Sequence, residues 1–151
     1  MTSNSMSFSL HELIPHRKPM LLLSSVVELG DNFSTAEIII SNFSSFFMQA
    51  KGVPSWIGIE YMGQTAALIA GYQLQQGTVT PHVGLLLGTR KYEAFTPWFN
   101  EGDVLLVSCK EIAVVGQELA TFQCDIRSKS NGVLYATAKL SVFRKPLSAK
   151  L

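Results

Sequence analysis

A stretch without proline between Pro54 and Pro81 limits the folds open to this chain more than any other feature. Apolar and small side chains recur in it at helical spacing, and Gly77 is a suitable C-terminal stop. We therefore predict a helix over residues 54–76, about 34 Å long at 1.5 Å per residue. Because it is apolar almost all round, we expect it to be buried. Its single charged residue is Glu60, a carboxylate that needs a partner, a proton or a chemical role.

Six segments outside the helix are predicted as β-strands, because they are rich in β-forming residues and are separated by turn signals. Residues 119–124 and 133–138 alternate between two faces, which is typical of antiparallel strands with one covered face. One long helix with a curved antiparallel sheet of five to seven strands around it is an α+β arrangement. The predicted strands are PMLLLSSVVELG and NFSTAEIIIS before the helix, and HVGLLLGTRKYEAFTP, DVLLVSCKEIAVV, ELATFQCDIRSK and GVLYATAKLSVFRK after it.

Length and charge narrow the class of protein. The 151 residues suit one compact domain, which we expect to span residues 1–151 with residues 1–7 frayed. Only 15% of the residues are charged, which is low for a soluble domain, so we expect a partner to cover part of the surface. The net charge of +1 argues against a nucleic-acid-binding protein. No apolar run reaches the about 20 residues that a membrane span needs.

The first residues, MTSNSMSFSLHELIP, lack the basic and apolar regions of a signal peptide, so we expect a cytoplasmic protein. In that compartment Cys109 and Cys124 are predicted to be reduced residues of the core. The three histidines, His11, His16 and His82, are not spaced as metal ligands. We therefore expect neither a metal nor a cofactor.

Three blocks of sequence resemble the 3-hydroxyacyl-[acyl-carrier-protein] dehydratases of the hot-dog fold. PSWIGIEYMGQ resembles their Pro-Gly-x-x-x-x-(Asp/Glu)-x-x-x-Gln helix motif, with matches at Pro54, Gly58, Glu60, Met62 and Gln64. IPHRKPMLLLSSV looks like their Pro-His-Arg-x-Pro-x-Leu-Leu opening, and LLLGTRKYEAFTPWFNEGD fits the strand after their helix. The blocks keep the family's order and cover nearly the whole chain. Their combination is most similar to the dehydratase-like subunit of bacterial aryl-polyene pigment clusters.

The resemblance implies a dehydratase for 3-hydroxyacyl thioesters of an acyl carrier protein, in a fatty-acid or polyene type of pathway. In the family a histidine removes the α-proton and a helix acid handles the departing hydroxyl. A backbone N–H at the helix start polarises the thioester carbonyl. Here Glu60 is the acid, the N–H falls on Ser55, and Gln64, one turn later, is placed to orient the Glu60 carboxylate. The other predicted substrate-binding residues are Trp56, Gly58 and Phe47.

Phe46 and Trp98 join Phe47 and Trp56 as candidates for an acyl tunnel or its gate. Ordinary packing in the core or at an interface is the alternative for each of them. Carrier proteins are acidic, so basic side chains near the tunnel mouth would guide docking. Arg90 and Lys91 are the predicted contacts, with Lys51 behind them, and a solvated strand edge is the alternative.

The family's catalytic histidine has no counterpart here. Relatives carry it in a Gly-His-Phe-Pro segment before the helix, whereas SFFMQAKGVP is shorter and holds no histidine. His16 is the obvious substitute base, but relatives with a separate catalytic histidine carry the same Pro-His-Arg motif, which favours a structural role. His82 lies at a junction between loop and strand, and we expect His11 to be exposed.

Four functions stay open at this point. In the leading hypothesis the chain supplies Glu60 to the histidine of a second hot-dog dehydratase subunit, because the family builds its active sites across the dimer. A homodimeric dehydratase that recruits His16 or another base is the second. The third is a hot-dog thioesterase in which the helix acid activates water. The fourth is a non-catalytic scaffold.

Overall fold

The predicted central helix is present, with a tighter first turn than expected. In the computed structural model Ser55–Ile57 form a 3₁₀ turn and the α-helix α2 runs over Gly58–Gln76. Gly77 ends the helix with φ 72°, a left-handed conformation that glycine adopts without steric cost. Both the position and the stop signal of the helix are therefore confirmed.

The structure describes residues 9–77, 82–116 and 118–146, except for the side chains of 82–87, 90, 145 and 146. A short helix and three strands precede α2, and five strands follow it. In chain order these are α1 (Leu10–Leu13), β1 (Ser25–Leu29), β2 (Phe33–Ile39), β3 (Val53–Pro54), then β4 (His82–Ala94), β5 (Trp98–Phe99), β6 (Val104–Val115), β7 (Leu119–Ser128) and β8 (Leu134–Pro146).

Six of these strands form one antiparallel sheet in the order β1-β2-β6-β7-β8-β4, and α2 packs on one of its faces. The predicted alternation is confirmed, because even-numbered residues from 120 to 128 in β7 and from 136 to 140 in β8 are buried while the residues between them are more accessible. Strands β3 and β5 form a separate pair beside the start of the helix. The α+β prediction, with a sheet of five to seven strands, is therefore confirmed.

The first strand begins later than the sequence predicts. Its pairing starts at Ser25, whereas a strand was expected from Pro19. The intervening segment instead runs along α2, because the buried side chain of Gln64 bonds the backbone of Met20 and Leu22. A side chain more than forty residues away decides this local structure, and no pattern within the segment reveals it.

One stripe of α2 remains partly accessible, which differs from the prediction of a helix buried all round. Trp56 in the 3₁₀ turn is 63% exposed, and residues at helical spacing after it are half-buried. We call this surface the open stripe. Its members are Trp56, Glu60, Gly63, Ala67, Ala70 and Leu74.

The two cysteines lie opposite each other on β6 and β7, as free thiols buried in the core. This is the position predicted for them. Burial, together with contact with Cys124, raises the pKa of the Cys109 thiol well above its usual value. Enclosed free thiols of this kind pack as small apolar groups.

Candidate active site

Glu60 on the open stripe and the buried Gln64 one turn later form the polar centre of α2. Gln64 is fully buried, and its amide donates to the Met20 carbonyl at 2.7 Å and accepts from the Leu22 N–H at 2.9 Å. The same Nε2 donates to Glu60 Oε2 at 3.3 Å. The structure thus joins the two residues that the i,i+4 spacing predicted to meet. Their catalytic role stays a prediction.

The surroundings of Glu60 leave its carboxylate available for chemistry. It is half-buried on the accessible stripe, and its hydrogen-bond partner is a neutral amide. Within the described parts of the chain, no lysine, arginine or histidine forms an ion pair with it. A structural carboxylate is ordinarily paired with a cation or solvated on a polar face. Glu60 has neither arrangement.

Strands β3 and β5 and strand β4 hold the start of the helix in place. Val53 and Pro54 pair with Phe99 and Trp98, and the Ser55 N–H donates to the Pro97 carbonyl at 3.0 Å. The prediction assigned this N–H to a thioester carbonyl, but the structure gives it an acceptor within the chain, so this donor is not free. The N–H groups of the first turn that follow it lack intrahelical acceptors, as at every helix start.

The Ser55 carbonyl is also engaged, because it accepts a hydrogen bond from the Tyr92 hydroxyl. Gly58 makes room for this tyrosine: a Cβ at residue 58 would lie 2.3 Å from the Tyr92 oxygen and 2.9 Å from Ile126 Cδ1. Gly58 is buried, so this close packing accounts for the glycine without the predicted substrate contact.

The aromatic residues predicted to line a tunnel divide into two groups. Trp56 and Phe46 are exposed by 63% and 47%, which leaves them accessible to a ligand. Phe47 is half-buried and packs against the core, in agreement with the packing alternative. Trp98 is half-buried, and Lys51 Nζ lies over its ring at 5.4 Å from the centroid, a cation–π contact.

A half-open groove of about 510 Å³ lies elsewhere, and sequence reasoning missed it. Leucines of the segment before β1 line it, together with the end of β2 and the loop after β2. Tyr61 contributes to the groove, but Glu60 and the four predicted tunnel aromatics do not. Leu22, which lines the groove, bonds Gln64 through its backbone N–H, so the groove borders the polar centre of α2 without including Glu60.

In the part of the chain that the structure describes, no hydrogen bond or ion pair joins His16 to Glu60. The N-terminal segment contacts α2 on both sides of His16: Leu13 lies against Gly71, and the Met20 carbonyl accepts from Gln64. These two helix positions are about 10 Å apart. His16 Nδ1 is buried and has no hydrogen-bond partner among the described residues. His11 is exposed, as predicted. The side chain of His82 lies outside the described residues.

The basic residues predicted to meet a carrier protein lie beside the start of the helix. Lys91 is exposed and precedes Tyr92, whose hydroxyl reaches Ser55. Lys51 lies over the ring of Trp98, and Trp98 belongs to β5, the strand that pairs with residues 53 and 54. The backbone of Arg90 pairs with Lys139, but its side chain lies outside the described residues.

Two tyrosines near the helix start were not singled out in the sequence. Burial raises the pKa of Tyr92 to about 12 and raises the pKa of Tyr61 further, with a smaller contribution from Tyr92. Both hydroxyls therefore stay protonated at any ordinary pH. A tyrosine in an apolar helix, as for Tyr61, or in a strand, as for Tyr92, is common, so no signal in the sequence distinguishes these two.

No group of three or more His, Cys, Asp or Glu side chains within the described residues is arranged to hold a metal ion. The described helices include none that is both long and apolar enough to span a membrane.

Comparison with known proteins gives one family match and many related folds. A family model for ApeP-like proteins, described as ApeP dehydratase, matches residues 8–151. No curated protein sequence gives a significant match.

Among solved structures, the dehydratase heterocomplex ApeI:P from Xenorhabdus doucetiae is similar with a TM-score of 0.84 and 24% identity, over 95% of this chain and 94% of that one. A hypothetical thioesterase with coenzyme A from Streptococcus pneumoniae has a TM-score of 0.63 and 14% identity, over 81% and 85%. PaaI from the phenylacetic acid degradation operon of E. coli has a TM-score of 0.62 and 10% identity, over 79% of this chain and 81% of that one. At these identities the likeness shows the fold, and the predicted hot-dog fold is confirmed.

Proposed function

The chain belongs to the ApeP-like dehydratase family, and from this premise we propose that it is the acid-supplying subunit of a 3-hydroxyacyl-[acyl-carrier-protein] dehydratase. The proposal places the reaction in the cytoplasm, in a polyene type of pathway. The observation that carries it is the environment of Glu60, which is half-buried on an accessible stripe, bonded by Gln64 and in no ion pair with a described residue. A helix acid in this state is suited to work on a group outside its own chain.

The reaction needs an acid and a base, and the described residues supply only the proposed acid, Glu60, at this site. Loss of the α-proton and of the β-hydroxyl as water leaves a double bond between the α and β carbons of the thioester. Glu60 would donate the proton that the departing hydroxyl needs, while a base takes the α-proton. No histidine bonds Glu60 among the described residues. We therefore propose that the base belongs to a partner subunit.

Two uncovered surfaces support a partner. The open stripe presents small apolar residues around Glu60, and β4 is an edge strand of the sheet whose outer side pairs with nothing in the described chain. Both features are ready to pair with a second subunit of the same fold. The related Xenorhabdus protein is a dehydratase heterocomplex, ApeI:P. This likeness supports a second, histidine-bearing hot-dog subunit as the partner.

The proposal predicts that activity appears only on assembly. We expect the purified chain alone to leave 3-hydroxyacyl thioesters of a carrier protein unchanged. The same chain mixed with a hot-dog subunit that retains the Gly-His-Phe-Pro histidine should dehydrate them at an ordinary enzyme rate, about 1–10³ s⁻¹. Mass spectrometry of the carrier-bound product measures dehydration, and native mass spectrometry of the complex measures assembly. Alanine at the partner's histidine is the control and should abolish the reaction.

Two results would contradict the proposal. One is dehydration by the chain alone at the full rate, which would favour a homodimer with its own base. The other is the absence of any complex with the histidine-bearing subunit. Release of free thiol from acyl thioesters, abolished by Glu60→Gln, would instead identify the chain as a thioesterase.

Carrier-protein docking is a separate element of the proposal. Lys91 and Lys51 flank the helix start, and both would face an acidic partner that delivers a thioester to Glu60. We expect Arg90→Glu/Lys91→Glu to weaken carrier binding on the order of tenfold at low ionic strength, and less at high salt, because exposed charges are screened. Titration calorimetry at two salt concentrations measures this. Lys110→Glu, at an exposed lysine of β6, should have no effect, and equal binding by both variants would exclude this patch.

A further inference from the structure

An extra residue in β4 changes which way the strand presents Tyr92. Arg90 pairs with Lys139 and Glu93 pairs with Thr137, so two residues of β4 oppose a single residue of β8. This is a β-bulge, and Lys91 within it has φ 55°. The left-handed conformation is sterically unfavourable for a residue other than glycine.

The bulge turns Tyr92 towards the helix. Paired residues of neighbouring strands point to the same face, and a shift of one residue exchanges the two faces. Without the extra residue Tyr92 would oppose Thr137, which lies on the face opposite to the buried Ala136 and Ala138. With the bulge, the tyrosine side chain reaches Ser55 and Gly58 at the helix start.

Tyr92 is built to act as a hydrogen-bond donor in this position. Its pKa of about 12, raised by burial, keeps the hydroxyl protonated. The Ser55 carbonyl that accepts this hydrogen bond also accepts the Gly58 N–H. The tyrosine therefore binds a carbonyl that closes the 3₁₀ turn, and Gly58 lacks the Cβ that would collide with the tyrosine.

We infer that Tyr92 is a positioning residue: through the Ser55 carbonyl it fixes the 3₁₀ turn against β4 and so sets where α2 starts and where Glu60 meets the substrate. The inference rests on the proposed function for the role of Glu60. Strained backbone persists where the surrounding structure enforces it and is concentrated at functional sites. The bulge at Lys91 is a strained segment of this kind, because it directs the Tyr92 side chain to the 3₁₀ turn that precedes Glu60.

The test compares Tyr92→Phe with Tyr135→Phe in the complex with the histidine-bearing subunit. Tyr135 in the neighbouring strand β8 packs on Phe99, so the control loses a tyrosine hydroxyl but keeps the Tyr92–Ser55 hydrogen bond. We expect Tyr92→Phe to lower kcat about three- to tenfold with KM unchanged, which corresponds to one hydrogen bond. Hydrogen–deuterium exchange at residues 55–60 should become at least about threefold faster in this variant only.

Each outcome decides the inference. A kcat within about twofold of the unmodified complex, with exchange at residues 55–60 unchanged, overturns it. Equal losses of Tm in the two variants without a change of kcat also overturn it, because they show a structural role alone. If the unmodified complex has no dehydratase activity, the proposed function fails and the exchange result decides by itself: faster exchange supports positioning by Tyr92, and unchanged exchange rejects it.

Discussion

Glu60→Gln should lower the kcat of the assembled dehydratase by about 10²–10⁴-fold, the range expected for removal of a general acid. Glutamine has nearly the same shape and can still bond the neighbouring Gln64 amide, but it has no proton to give to a departing hydroxyl. Because the substitution keeps the packing of a half-buried position, we expect little change in Tm or in assembly with the partner subunit.

Single-turnover measurement of thioester dehydration gives the size of this effect. Glu101→Gln, at an exposed position in the turn before β6, removes the same charge outside the helix and should keep full activity. A Glu60→Gln complex that works within about threefold of the unmodified one would exclude Glu60 as the acid. Loss of product with an unassembled complex would show instead that Glu60 holds the subunits together.

Arg144→Leu should lower the free energy of unfolding by about 3–5 kcal/mol, the typical cost of removing one partner of a buried ion pair. Arg144 forms an ion pair with Glu111 across the intervening strand β7, and their side chains are only 10% and 12% exposed. The substitution leaves an uncompensated carboxylate in the protein interior. Urea unfolding of the chain in one defined assembly state measures the difference.

Two further variants separate the ion pair from simple packing. The double variant Glu111→Leu/Arg144→Leu removes both charges and should recover most of the lost stability, because well-packed apolar residues often replace a buried pair without cost. Lys129→Leu breaks the pair of Lys129 with Glu37, in which the lysine is 55% exposed, and should cost at most about 1 kcal/mol. Equal losses from Arg144→Leu and Lys129→Leu would contradict the prediction.

Local sequence signals were sufficient to predict the helix and the contact between Glu60 and Gln64 in its polar centre. Proline, glycine and apolar spacing define α2, and the i,i+4 spacing brings Gln64 to Glu60. The start of β1 could not be predicted in this way, because the preceding segment is held by Gln64 from a distant part of the chain. Predictions based on neighbouring residues fail where a tertiary contact provides the hydrogen bonds.

The role of Ser55 and the position of Tyr92 also depend on tertiary structure. The family motif indicates that the Ser55 N–H faces a substrate, yet Pro97 from the loop after β4 accepts its hydrogen bond. Tyr92 points inward because of a bulge at Lys91. The left-handed residue of this bulge is a lysine, so no glycine in the sequence indicates the conformation. A single inserted residue in a strand leaves almost no trace in the hydrophobic pattern.

The exposed edge of β4 has a consequence for how a cell must make this protein. Strand β4, thirteen residues long, lies at one margin of the sheet, and the N–H and C=O groups that point away from β8 pair with no strand among the described residues. Such a margin recruits any available strand, including that of another copy, and is a starting point for aggregation. Synthesis in excess of a covering subunit would therefore be harmful. We expect balanced translation of the two subunits, and the chain overproduced by itself should accumulate in inclusion bodies.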